Sequence, residues 1–169
     1  MKTATLTLNG KTYEVQLTDE QVIEIEEPKK VTGFEMAEEK GRYFFENGYS
    51  QEDYALEYHA ISDELRYGAA NYYTDKKLFE WCLRNDKLNR KMRRWAAEHN
   101  TYPIDWEDKF ADTCFISYNY ERKEVDIIHC VSTARAGVVY FCMREIAEAA
   151  ITEFGEEIKW LAENRPKWF

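Results

Sequence analysis

Apolar and polar residues alternate strictly at the start of the chain. In the run TLTL-NG-KTYEVQL, Ala4, Leu6, Leu8, Tyr13, Val15 and Leu17 share one face, and Thr5, Thr7, Thr12, Glu14 and Gln16 share the other. Asn9-Gly10 between the two runs is the favoured pair for a type I′ turn, whose central residues both need positive φ. The pattern predicts a two-residue hairpin that sets Leu8 opposite Lys11 and Leu6 opposite Tyr13. Thr18-Asp19-Glu20-Gln21 then has the form of a capping box and opens a short acidic helix to Glu27. Pro28 ends that helix, and Gly33 relieves the backbone of the linker that follows. The expected division is a hairpin-helix appendage over 1–27 and a linker over 28–40, ahead of a main body. So small an appendage does not fold securely alone and is expected to dock.

Two stretches of the main body resemble one another. NYYTDKKLFEWCL (71–83) and VYFCMREIAEAAI (139–151) align without gaps at an offset of 68 residues. Each runs from an aromatic strand end through a turn into an amphipathic helix. Two strand-like runs precede each, Arg42–Tyr49 and Ala55–Ile61 in the first, Cys114–Tyr120 and Val125–Val131 in the second. Arg66 and Arg135 stand in similar places, ahead of each third strand. The pattern predicts an α+β protein: two β-β-β-α repeats with antiparallel sheets, over 41–100 and 101–169, preceded by the N-terminal β-hairpin and short helix. The first repeat's helix is expected from Asp75 to His99. Its buried stripe would be Leu78, Cys82, Leu88, Met92 and Trp95, with a bend near Asn85-Asp86. The second is expected over Arg144–Phe154, stopped by Gly155 as the C′ residue, with a separate helical segment over Glu156–Glu163.

Composition narrows the class. A chain with 44% hydrophobic and 15% aromatic residues can build a sizeable core. No window approaches the roughly 18 consecutive apolar residues of a membrane span, and the N-terminus does not read as a signal peptide. Cys82, Cys114, Cys130 and Cys142 lie in apolar segments without CxxC spacing, so buried reduced thiols are expected, and with them the cytoplasm. Charge is segregated. The net is −8 over residues 1–70, +4 over 71–100 and −5 over 101–169, within an overall −9. Such separation points to a charged partner.

The chemistry-bearing motifs are few. P-loop, GxGxxG, HExxH, GxSxG and EF-hand patterns do not occur, and no catalytic residue, metal or cofactor is expected. His59 and His129 fall on expected strands. With Glu57, Asp126 and Cys130 they could bind zinc, but alternation sets His129 and Cys130 on opposite faces. His99 suits the C-terminal end of a helix dipole. Asp105, Glu107 and Asp108 could hold magnesium, or pair with Arg93 or Arg94.

The basic stretch KLNRKMRRWAAEHN (87–100) places Lys87, Arg90, Lys91 and Arg94 on one helical flank. That flank is open to three readings: a solvated face pairing with the acidic appendage, a phosphate site, or a dock for an acidic protein. For a nucleotide, Arg66, Tyr67, Asn71, Arg90, Arg94 and Arg135 would supply guanidinium and aromatic contacts. The acids give the converse reading. Glu20, Glu24, Glu26 and Glu27, then Glu38 and Glu39, form a surface able to imitate a nucleic-acid backbone and occupy a basic groove.

LTLNGKTYEVQLTDEQVIEIEE, RYGAANYYTDKKLFEWCLRNDKLNRKMRRWAAEHN and VYFCMREIAEAAITEFGEEIKWL together resemble a family of small accessory proteins of phages and prophages of Gram-positive bacteria. The chain departs from that pattern at Ala70-Asn71, where relatives carry Gly-Asn, and at Cys142-Met143-Arg144-Glu145, where they tend to Ser-x-Glu. The resemblance implies a non-enzymatic inhibitor of host defence, of the anti-CRISPR kind. Its partner would be a defence protein complex that binds nucleic acid, engaged through the six acids. The alternatives are a sponge for a nucleotide immune signal and a phage structural or regulatory protein.

Overall fold

The computed structural model describes residues 2–19, 31–108, 113–130 and 135–167. The chain divides into two compact units, Met1–Thr32 and Gly33–Phe169. In the first, β1 (Lys2–Leu8) and β2 (Lys11–Leu17) pair antiparallel, with Leu8 opposite Lys11 and Leu6 opposite Tyr13. Asn9 and Gly10 take φ of 52° and 74°, the left-handed pair that a type I′ turn requires. Glu20, Glu24, Glu26, Glu27 and the acidic helix lie outside the described residues.

The second unit is α+β with antiparallel sheets. Strand β3 (Arg42–Glu46) pairs with β4 (Glu52–Leu56), followed by helices α1 (Ile61–Gly68) and α2 (Lys76–His99). Strands β5 (Thr113–Asn119), β6 (Glu124–Cys130) and β7 (Tyr140–Phe141) form a sheet in the order β6-β5-β7, and α3 (Arg144–Glu163) closes the unit. No described helix is long and apolar enough to cross a membrane.

Alternation decides what each β3 side chain does. Tyr43 and Phe45 point to one side and cluster with Tyr72, while Phe44 points to the other and packs with Tyr73, Leu78 and Phe79. Helix α2 begins where the Asp75 carboxylate accepts from the amides of Lys77 and Leu78, at 2.7 and 3.0 Å. Gly33 permits that start. At its φ of +91°, a Cβ would lie 2.8 Å from both Asp75 Cβ and Leu78 Cδ2. The far half of α2 buries Leu88, Met92 and Ala96 against Cys114 and Phe141 of the sheet and Ala147, Ala150 and Leu161 of α3. The other face of that sheet packs Phe115, Cys130 and Tyr140 with Ile104 and Val138.

Several expectations are corrected. Of the run Ala55–Ile61 only Ala55 and Leu56 are strand, the end of β4, and α1 begins at Ile61. The third strand of the first half reduces to one antiparallel bridge between Phe44 and Tyr73. Gly155 does not stop α3, which runs to Glu163 and is capped at Asn164. The apolar pattern continues through the half-buried Ile158 to the buried Leu161, and the Trp81 indole donates to the Leu161 carbonyl at 2.8 Å. These gains outweigh the cost of an interior glycine, about 1 kcal/mol. His59 lies in a connection at φ of 53°, off any strand. Cys114, Cys130 and Cys142 are buried, whereas Cys82 is half-buried.

Trp95 is half-buried, not buried. It meets Phe141 and Phe154 edge-on, with centroids 6.0 and 6.3 Å away, and its outer face stacks on His99 at 3.9 Å. Phe141 is fully buried. Phe141→Ala should therefore cost about 3–5 kcal/mol and Trp95→Ala about 2–3 kcal/mol in urea unfolding. The reverse order would place the centre of the core on the wrong residue.

Candidate anion-binding site

The site follows from the division of α2 into two flanks. With Leu88, Met92 and Ala96 turned inward, Lys87, Arg90, Lys91 and Arg94 are left on the outer side at three- and four-residue spacing. Facing them is the turn from β3 to β4. The Asn47 side-chain oxygen accepts from the amides of Tyr49 and Gln51 at 2.9 and 3.2 Å, and Ser50 takes φ of 57°. This turn and the four cations enclose an open groove of about 650 Å³. Tyr49, Ser50 and Gln51 form one wall and the cations the other, with no carboxylate in the lining. The Tyr49 side chain is 86% exposed.

Arg90 is the positioned member of this set. Its Nη2 lies 2.9 Å from Glu46 Oε1. Glu46 is held in turn by Asn71, whose side-chain oxygen accepts from the Glu46 amide at 2.7 Å while its NH₂ donates to the Glu46 carbonyl at 2.8 Å. Arg94 meets Glu98 only at 3.9 Å, between exposed side chains, an arrangement worth little in water. Among the described residues, Lys87 and Lys91 make no ion pair within 4.0 Å. The cation partners that are seen, Glu46 and Glu98, belong to the second unit itself.

A second groove, of about 500 Å³, lies across the ridge between α2 and α3. It shares Lys87, Lys91 and Arg94 but adds Glu98, Glu153 and Glu157, so its charges compensate internally. Arg84 grips Glu157 through two hydrogen bonds of 2.7 and 2.6 Å, and its guanidinium lies 3.5 Å above the Trp160 ring. Those hydrogen bonds, followed by the fields of Arg84 and Lys91, hold the Glu157 carboxyl below its ordinary range against the opposing effect of burial. The groove facing Tyr49 is therefore the one whose lining carries cations and no carboxylate, with Glu46 pairing Arg90 from outside it.

The other anticipated site residues lie elsewhere. Arg66 donates to the Tyr43 hydroxyl at 2.6 Å and covers the Phe45 ring at 3.9 Å. Tyr67 packs edge-on to Tyr72 at 5.7 Å. Arg135 sits over the Phe115 ring at 5.3 Å, and its amide donates to the Tyr140 hydroxyl at 2.6 Å. Of the six residues anticipated for a nucleotide, only Arg90 and Arg94 line the groove, with Asn71 bracing Arg90 from behind. Glu38 and Glu39 are exposed in the stretch before β3. The Asp105 carboxylate accepts from the Glu107 amide at 2.9 Å, a local turn and not a bond to the basic helix. Among the described residues, no group of three or more metal-ligating side chains converges. The Tyr49–Gln51 wall was not anticipated. Its signal was Asn47-Gly48, inside the run expected as a strand over Arg42–Tyr49, which ends β3 at Glu46 in a turn but does not say what the turn faces.

The second unit also holds a buried polar network. Asp63, the one buried residue of α1, accepts from the Tyr43 hydroxyl at 2.6 Å and from the amides of Tyr58 and Ala60, each at 3.1 Å. The Tyr72 hydroxyl donates to the buried Glu57 at 2.5 Å and accepts from the Ala37 amide at 2.9 Å. The Tyr43 hydrogen bond, outweighing burial, draws the Asp63 carboxyl down to about 2. Burial and Glu57 push the Tyr72 phenol well above its usual range.

No protein-family model, curated protein or solved structure matches this chain.

The Asp63 shift sets a pH dependence. Because the folded pKa lies below the unfolded one, its stabilisation is full above about pH 4 and is lost as the pH falls towards 2. In urea unfolding, the parent should lose about 2 kcal/mol more than Asp63→Asn over that interval. Parallel acid profiles for the two proteins would contradict this assignment.

Proposed function

We propose that the protein is a phage-type accessory factor that inhibits host antiphage defence by binding, holding an anion on the outer flank of α2 without altering it. The supporting observation is the groove facing Tyr49, where four cations converge with no carboxylate in the lining, in a chain of net charge −9. The surrounding negative charge disfavours a long nucleic-acid duplex, whose backbone it would repel. A short or confined anion escapes that repulsion. The setting is the host bacterial cytoplasm, in keeping with the resemblance.

The acidic surface supplies a second reading, favoured by the exposure of Glu38 and Glu39. In it the protein occupies the basic groove of a nucleic-acid-binding defence complex. We also read the two halves of the second unit as copies of one β-β-β-α unit. β3 lies between β4 and the Tyr73 bridge as β5 lies between β6 and β7, with α1 as an insertion in the first copy.

Charge reversal separates the two functional readings. Lys87→Glu with Lys91→Glu should abolish protection in a phage or plasmid challenge while the protein stays folded, its melting point lowered by no more than about 5 °C as Glu153 and Glu157 gain like-charged neighbours. Glu38→Lys with Glu39→Lys should leave protection intact. The opposite result would transfer the function to the acidic surface.

A further inference from the structure

We infer that the groove facing Tyr49 receives a nucleotide carrying two or more phosphates, with its base laid against the Tyr49 ring. This rests on the basic-flank reading above and names its ligand.

The two walls differ in chemistry. The helical wall offers two ammonium groups and two guanidiniums from Lys87 to Arg94, spread over seven helical rises, about 10 Å. A single phosphate cannot reach all four, whereas a phosphate chain can lie along them. Arg90 is already oriented by Glu46, so its planar fork is set for bidentate contact with phosphate oxygens. Lys87 and Lys91, without ion pairs among the described residues, can turn towards the ligand without breaking one.

The opposite wall has no charge. It presents an aromatic ring, a hydroxyl and an amide, from Tyr49, Ser50 and Gln51. The ring is 86% exposed at the tip of a turn that Asn47 braces through two amides. A flat apolar face held beside a row of cations suits a ligand with a flat base at one end and phosphates at the other. The Ser50 hydroxyl and Gln51 amide can hydrogen-bond a sugar or a base edge. The volume of about 650 Å³ falls within the range of small-ligand sites and matches one nucleotide better than a long strand. An acidic peptide would satisfy the cations but leave Tyr49 without a planar partner.

Calorimetric titration of the full chain in low salt with EDTA tests this, using ATP, inorganic triphosphate, a dT 12-mer and an oligoglutamate as probes. ATP should bind about tenfold more tightly than inorganic triphosphate. Tyr49→Ala should remove that advantage and leave triphosphate binding unchanged, and Tyr49→Phe should keep it. Lys87→Gln with Lys91→Gln should weaken both ligands by about tenfold or more. Equal affinity for ATP and triphosphate, indifferent to Tyr49→Ala, would overturn the base contact and leave anion capture standing. Absence of binding to every probe would overturn both. A dT 12-mer or oligoglutamate bound more than about tenfold tighter than ATP would replace the nucleotide with a strand or an acidic protein segment.

Discussion

Burial of one side of α2 against two separate clusters is the constraint on which the second unit depends. The helix has 24 residues and so spans about 36 Å, longer than either cluster it serves. Its first turn places Leu78 and Phe79 with Tyr73 and Phe44 of the β3 region. Its second half places Leu88, Met92 and Ala96 with the second sheet and α3. A helix committed inward along both halves has its remaining flank fixed as well. Lys87, Arg90, Lys91 and Arg94 stay outside because the apolar residues between them are held inside.

The groove is a consequence of that commitment. The β3–β4 hairpin is tied by the Phe44–Tyr73 bridge to the segment just before α2 and by Glu46 to Arg90 of α2 itself, with Asn71 bracing the end of β3. This carries the Asn47–Ser50 turn to the side of the helix where the cations stand. Positive charge is held there by geometry, since replacing these residues with neutral ones would leave the buried flank intact. On the other side of the ridge, α3 supplies Glu153 and Glu157, and Arg84 is consumed by Glu157. The same row of cations therefore meets carboxylates in the lining on one side and an uncharged wall on the other.

Local chemistry made some of this legible in the sequence. Asn9-Gly10 set the hairpin register, and Asp75 marked the start of α2, because turns and caps are decided by a few adjacent residues. Helix α1 was illegible because its pattern is inverted. It buries Asp63 while Ile61 and Leu65 are 76% and 68% exposed, so apolar periodicity points away from the core. Gly155 misled in the opposite sense, since a local stop signal was overridden by burial of Leu161 nearly two turns later. The cationic flank was visible as spacing along one helix. Its uncharged wall was not, because Tyr49 and Lys87 meet only through tertiary structure. Arg66 and Arg135 do not join that groove for the same reason, their partners Tyr43 and Phe115 being remote in sequence or hidden by the fold.

Mapping where an anion lands tests the central claim most directly. In a ¹⁵N-resolved NMR titration of the full chain with inorganic triphosphate, the amides of 49–51 and 87–94 should shift together along one saturable curve. Raising the ionic strength should weaken that response, as expected for partly exposed charges. Shifts centred instead on Arg66, on Arg135 or on the β1–β2 hairpin, with the α2 flank unmoved, would contradict the account.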